Sequence, residues 1–139
     1  MEMLQPPGWA RPRGYSNGIA ASGRMVFVSG MIGWDGDGVF NTDDFAGQVR
    51  QALLNVVAVL AEAGARPEHI VRMTWYVTDK HAYVAAYKDI GKAYREIIGA
   101  HYPAMTAVQV MALVEDRAQV EIEVTAVVPP TGIEPVSHA

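Results

Sequence analysis

The sequence predicts a two-layer α/β (α+β) sandwich in the order β-β-α-β-α-β-β, with two helices on one face of a mixed sheet. Three observations carry this. Phe45, Val49, Leu53, Val56, Val57 and Leu60 recur at helical spacing, and Tyr83, Tyr87, Ile90, Tyr94, Ile97 and Ile98 repeat the pattern. Residues 71–77 and 119–128 alternate with the period of two that marks a strand. Each helix follows a strand and precedes another, and right-handed crossovers put both helices on the same side of one sheet.

Composition bounds the function. The 139 residues suit one domain. Residues 1–14 read as an irregular N-terminal arm, 15–130 as the domain and 131–139 as a flexible C-terminal tail. Eleven basic and fifteen acidic residues give a net charge of -4, without the basic stripe of a nucleic-acid binder, so no nucleic-acid partner is expected. There is no cysteine, hence no disulfide and no thiolate nucleophile or ligand. No apolar run is long enough to span a bilayer, so no membrane partner and a cytoplasmic location are expected.

Pro6, Pro7, Gly8, Pro12 and Gly14 make the arm irregular. A turn at Asn17-Gly18 leads to a short strand, Ile19-Ala20-Ala21. Ser22-Gly23-Arg24 reads as a tight reversal into Met25-Val26-Phe27-Val28-Ser29, making a hairpin that stops at Ser29-Gly30. Residues 34–38 form an Asp- and Gly-rich loop, but the EF-hand ligand spacing and closing Glu are absent. Thr42 or Asp43 can cap the first helix, and Gly64 and Pro67 end it. On the strand at 71–77, Val71, Met73, Trp75 and Val77 share one face, and Arg72, Thr74 and Tyr76 the other. Thr78-Asp79 caps the second helix and Gly99 closes it. Its tyrosines could form a stacking surface, but core aromatics with hydroxyls at the rim are the simpler reading. A third long strand follows Pro103, from Met105 to Met111. On the fourth, Val120, Ile122, Val124 and Ala126 oppose Glu121, Glu123 and Thr125, and Pro129-Pro130 stops it.

The sheet face away from the helices is expected to carry Thr74, Tyr76, Met105, Ala107, Gln109 and Met111. That is too apolar for water, so self-association in a closed ring follows. Chemistry is sparse. Ser29 precedes a glycine but lies outside a nucleophile elbow. His69, His81, His101 and His138 lack metal-ligand spacing and read as surface residues. No metal or cofactor is expected. Glu121 remains: a carboxylate on a strand, with Glu123 two residues on. Such a group either pairs with a cation or lies at a wet edge, or has a raised pKa and serves as general acid or base.

Gly14-Tyr15-Ser16-Asn17-Gly18, Val28-Ser29-Gly30-Met31-Ile32, residues 48–56, Tyr102-Pro103-Ala104 and Val120-Glu121-Ile122-Glu123 together resemble the Rid (reactive intermediate deaminase) family, also labelled YjgF or endoribonuclease L-PSP. The resemblance runs from about Gly14 to Val128. It implies a chorismate-mutase-like fold, a homotrimer and small-molecule ligands in inter-subunit clefts. It further implies hydrolysis of an enamine or imine to a carbonyl compound and ammonia, with Tyr15 and Glu121 catalytic. Ser29, Gly30, Met31, Met105, Thr106 and Ala107 would contact substrate. Deaminating members carry a carboxylate-gripping arginine where Met105 stands, so the resemblance is to an arginine-lacking branch. The alternative is a trimeric binding or interaction protein without turnover. A ribonuclease, suggested by older family labels, is disfavoured by the charge.

Overall fold

Phe45–Glu62 form the long helix α1 in the computed structural model, which describes residues 1–130. Asp44 is the N-cap: its backbone is extended, and Oδ2 accepts from the Gly47 amide at 2.9 Å. The expected caps have other duties. Thr42 Oγ1 accepts from the Asp44 amide, and the Arg117 guanidinium holds the Asp43 carboxylate at 3.0 and 3.1 Å. Past the C-cap, Gly64 takes a φ of 70°, a left-handed conformation that ends the helix as its sequence position predicts. Val49, Leu53, Val56 and Leu60 are fully buried against the sheet. Each such side chain contributes about 1.5–3 kcal/mol relative to exposure.

Strands β3 (Arg24–Ile32), β4 (Ile70–Val77), β5 (Ala104–Gln109) and β6 (Val120–Val128) form one mixed sheet in the order β3-β6-β4-β5. β6 is antiparallel to both neighbours, and β5 lies parallel to β4 at the edge. This is the mixed two-layer arrangement expected. The second helix is divided by Ala86 into α2 (Lys80–Ala85) and α3 (Tyr87–Ile97), with Asp79 capping α2.

Three expectations about the N-terminal half are corrected. Glu2–Leu4, assigned to an irregular arm, is strand β1, and it pairs antiparallel with β2 (Gly18–Ala20) through Met3↔Ile19. The hairpin between β2 and β3 is therefore absent. Gly23 lies so close to β6 that an added Cβ would stand 2.0 Å from the Val128 carbonyl oxygen. The chain there is pressed onto the end of β6 and leads from the ribbon into the sheet. Nor does β3 stop at Ser29: it continues to Ile32 through a register shift between Val28 and Met31. The tail at 131–139 lies outside the described residues.

The face assignment of β5 is also corrected. Met105 pairs with Met73 and Ala107 with Trp75 in parallel register, so both side chains share the helix-facing side with the buried Met73 and Trp75. Thr106 and Val108 lie opposite, beside Thr74 and Tyr76. Both faces of β5 carry apolar residues, so alternation could not choose between registers one residue apart.

His69 and His101 are buried rather than on the surface. His69 Nδ1 accepts from the Arg66 amide at 3.0 Å, and His101 Nε2 meets the Ile70 carbonyl at 2.6 Å. Burial chiefly, then the Arg66 charge, holds the His69 pKa below its usual value. The unfolded chain then takes up a proton near the ordinary histidine pKa that the folded chain resists. The stabilisation is complete above that pKa and falls as pH drops through it. His69→Gln is expected to flatten the loss of stability between pH 7 and 5, read from urea midpoints at both pH values.

Candidate functional site

Residues 13–15 reach the sheet because Ser16 bridges to Ala104, the first residue of β5. The Ser16 amide donates to the Pro103 carbonyl at 3.0 Å, and its hydroxyl to the Tyr102 carbonyl at 2.5 Å. This places Tyr15 at a cavity of about 600 Å³ between the edge of the sheet and α2 and α3. Met105 and Ala107 line its sheet side, with Trp75. Tyr83, Tyr87, Ile90 and Tyr94 line the helix side. The rings contact one another: Tyr83 and Tyr87 edge-on at 5.1 Å, Tyr94 and Tyr102 stacked at 5.4 Å. Burial pushes the Tyr83 and Tyr94 hydroxyls above the usual tyrosine pKa, so both stay protonated donors at neutral pH. Tyr94 spends its proton on the His101 carbonyl. Trp75 is 3% exposed, and its Nε1–H has no acceptor among the described residues.

Arg13 and Arg95 also line this cavity. Neither stood out in the sequence, because a helix residue and an arm residue share a cavity only once the chain has folded. The tyrosine stripe was visible, but it is not all core: Tyr94 is buried, whereas Tyr87 is exposed at the cavity.

The remaining site residues gather elsewhere. Glu121 lies on the opposite, open face of the sheet, half-buried, level with Ile32 and Tyr76. Its carboxylate covers Gly30: a Cβ added at Gly30 would stand 2.4 Å from Oε2. It makes no hydrogen bond or ion pair with another described residue. Glu123 differs, because the Tyr76 hydroxyl donates to its Oε1 at 2.5 Å, which is also the main reason the Tyr76 pKa is raised. Ser29 lines a smaller cavity of about 360 Å³ on this face with Arg72, Thr74 and Glu123. Thr106 is exposed on the same face, and Met31 packs partly buried against the core. The structure thus brings Tyr15, Met105 and Ala107 together in one group and Gly30 and Glu121 in another. The sheet separates the two groups.

Among the described residues no three His, Asp or Glu side chains cluster as metal ligands, and no helix is long and apolar enough to cross a membrane.

Residues 9–128 match the family model described as Endoribonuclease L-PSP. A RutC family protein of Aquifex aeolicus is 34% identical over 130 residues, covering 91% of this chain and 99% of that protein. An Escherichia coli K12 protein provisionally named reactive intermediate deaminase TdcF is 32% identical over 130 residues, covering 91% and 95%. Among solved structures, the Rid-family protein of unknown function YyfB from Yersinia pestis superposes with a TM-score of 0.81 at 29% identity, covering 91% of this chain and 98% of that one. The Escherichia coli YjgF gene product does so with a TM-score of 0.67 at 32% identity, covering 81% and 87%.

Proposed function

This chain belongs to the endoribonuclease L-PSP (Rid/YjgF) family, and on that premise we propose that it hydrolyses an enamine or imine metabolite to a carbonyl compound and ammonia, with Glu121 as general base. The observation that carries this is the state of Glu121. It is half-buried, it has no partner among the described residues, and Gly30 leaves the space it occupies. Glu123, two residues on, is already engaged by Tyr76. A carboxylate left unpartnered on a rigid strand is placed to take a proton from water. The hydroxide adds to the C=N carbon, and the proton passes to nitrogen. The carbinolamine then collapses, forming C=O and releasing ammonia. The name of the relative TdcF supports the same reaction.

The cavity and Glu121 lie on opposite sides of the sheet, so a complete site needs a second copy. Phe27 and Met25, 70% and 57% exposed, pair with Thr125 and Val127 on β6 and leave an apolar surface to cover. We assign that surface to a homotrimer whose three clefts each combine the cavity of one copy with Glu121 of the next. From Met105 we infer an arginine-lacking branch of the family. Met105 also favours the second reading, a trimeric binding protein without turnover, because its thioether makes that wall of the cavity apolar.

The test is ammonia release from imines made in situ by an amino-acid oxidase, with sedimentation velocity on the same sample. Release above the uncatalysed rate by a trimer is expected. A monomer that releases ammonia would overturn the shared cleft. A trimer that leaves every imine at its spontaneous rate would move the assignment to the binding protein.

A further inference from the structure

We propose that Arg13 and Arg95 hold the carboxylate of a ligand whose aromatic side chain fills the cavity beside Trp75, so that this protein takes bulky aromatic imino acids. The inference rests on the imine-hydrolysis reading and specifies its substrate class.

The cavity has about 600 Å³, the size of an ordinary small-molecule site and several times what a three-carbon imino acid fills. Its walls suit a ring. Trp75, Tyr83 and Tyr87 offer faces and edges, and the Met105 sulfur is a soft contact for an aromatic group. An arginine at position 105 would place a charge on this wall, and methionine leaves it apolar.

Two other residues bring positive charge to the cavity. Arg95 lies close over Gly91, where an added Cβ would stand 3.2 Å from one guanidinium nitrogen, and so sits against the cavity wall. The adjacent carboxylate, Glu96, is taken by Arg50. Arg13 approaches from the arm. Neither arginine forms an ion pair with another described residue. Two unpaired guanidinium groups beside an aromatic cavity match a carboxylate with a ring attached.

The test is calorimetric titration with 3-phenylpropionate, propionate and 3-phenylpropanamide. The proteins are wild type, Arg13→Gln, Arg95→Gln and the double variant. The wild type is expected to bind 3-phenylpropionate at least about tenfold more tightly than either other probe. The double variant should lose the advantage of the acid over the amide and keep its fold, because both side chains are exposed. Equal affinity for propionate and 3-phenylpropionate would overturn the proposal, as would a double variant that still prefers the acid. The imine assay separates this from the parent reading. Arginine-dependent binding with no turnover would sustain the ligand class and remove the deaminase. Turnover of small imines, with no binding of 3-phenylpropionate, would do the reverse.

Discussion

Glu121→Gln is expected to lower the rate of imine hydrolysis by at least about 100-fold, the lower end of what a positioned general base supplies. The substitution keeps the shape of the side chain and removes its ability to take a proton. The fold should be indifferent, because the carboxylate has no hydrogen bond or ion pair among the described residues to lose. The change in stability should stay within about 0.5 kcal/mol, as for a surface substitution away from special features. Glu123→Gln is the matched control. It lies on the same strand face, but its carboxylate accepts from Tyr76. Its rate should stay within a few-fold of wild type. The readouts are ammonia release under saturating imine and a thermal melt. KM is expected to move little in Glu121→Gln, because the proposed cavity contacts are untouched. If the variant keeps more than a tenth of the wild-type rate, Glu121 is not the base.

The parts of this architecture that a sequence can show are those where one face is buried and the other is not. Helix α1 met that condition, with Val49, Leu53, Val56 and Leu60 buried. Strand β6 met it too, since Val120, Ile122, Val124 and Ala126 are buried and Glu121 and Glu123 oppose them. Strand β5 did not. Ala104, Thr106 and Val108 are nearly as acceptable in a core as Met105, Ala107 and Gln109. Its facing is decided by parallel pairing with β4, a contact between residues 32 apart in sequence. That single undetermined register moved Met105 from the face of Glu121 to the other side of the sheet. It divided the candidate site residues between the two faces of the sheet.

Other features were hidden for a different reason. Three-residue β1 is too short for a period, and its partner β2 lies sixteen residues on. His69 and His101 are buried through hydrogen bonds to backbone, which leave no trace in composition. Arg13 and Arg95 become neighbours of one cavity only because Ser16 ties the arm to the start of β5. Tyr15 and Glu121 became candidates through family resemblance. The residues that surround the cavity depended on tertiary contacts that no local pattern encodes.

Gly30→Ala is expected to reduce imine hydrolysis by an amount comparable to Glu121→Gln, without touching a reacting group. Gly30 does not hold a positive φ, so alanine is compatible with its backbone. The obstacle is the Glu121 side chain itself. An added Cβ would stand 2.4 Å from Oε2, 2.6 Å from Cδ and 2.7 Å from Cγ. Three atoms of one side chain must move, so Glu121 must leave its present rotamer rather than adjust within it. A misplacement of about 1 Å at a reacting group can cost on the order of 100-fold in rate. The backbone pairing of β3 with β6 should survive, because the clash is with a half-buried side chain that can swing into solvent. The double variant Gly30→Ala, Glu121→Gln distinguishes this route from general damage. If the glycine acts only by seating the carboxylate, the double variant is no slower than Glu121→Gln alone, and the two losses do not add. If the losses multiply, Gly30 serves the reaction through its own backbone, as a substrate contact, and not through Glu121.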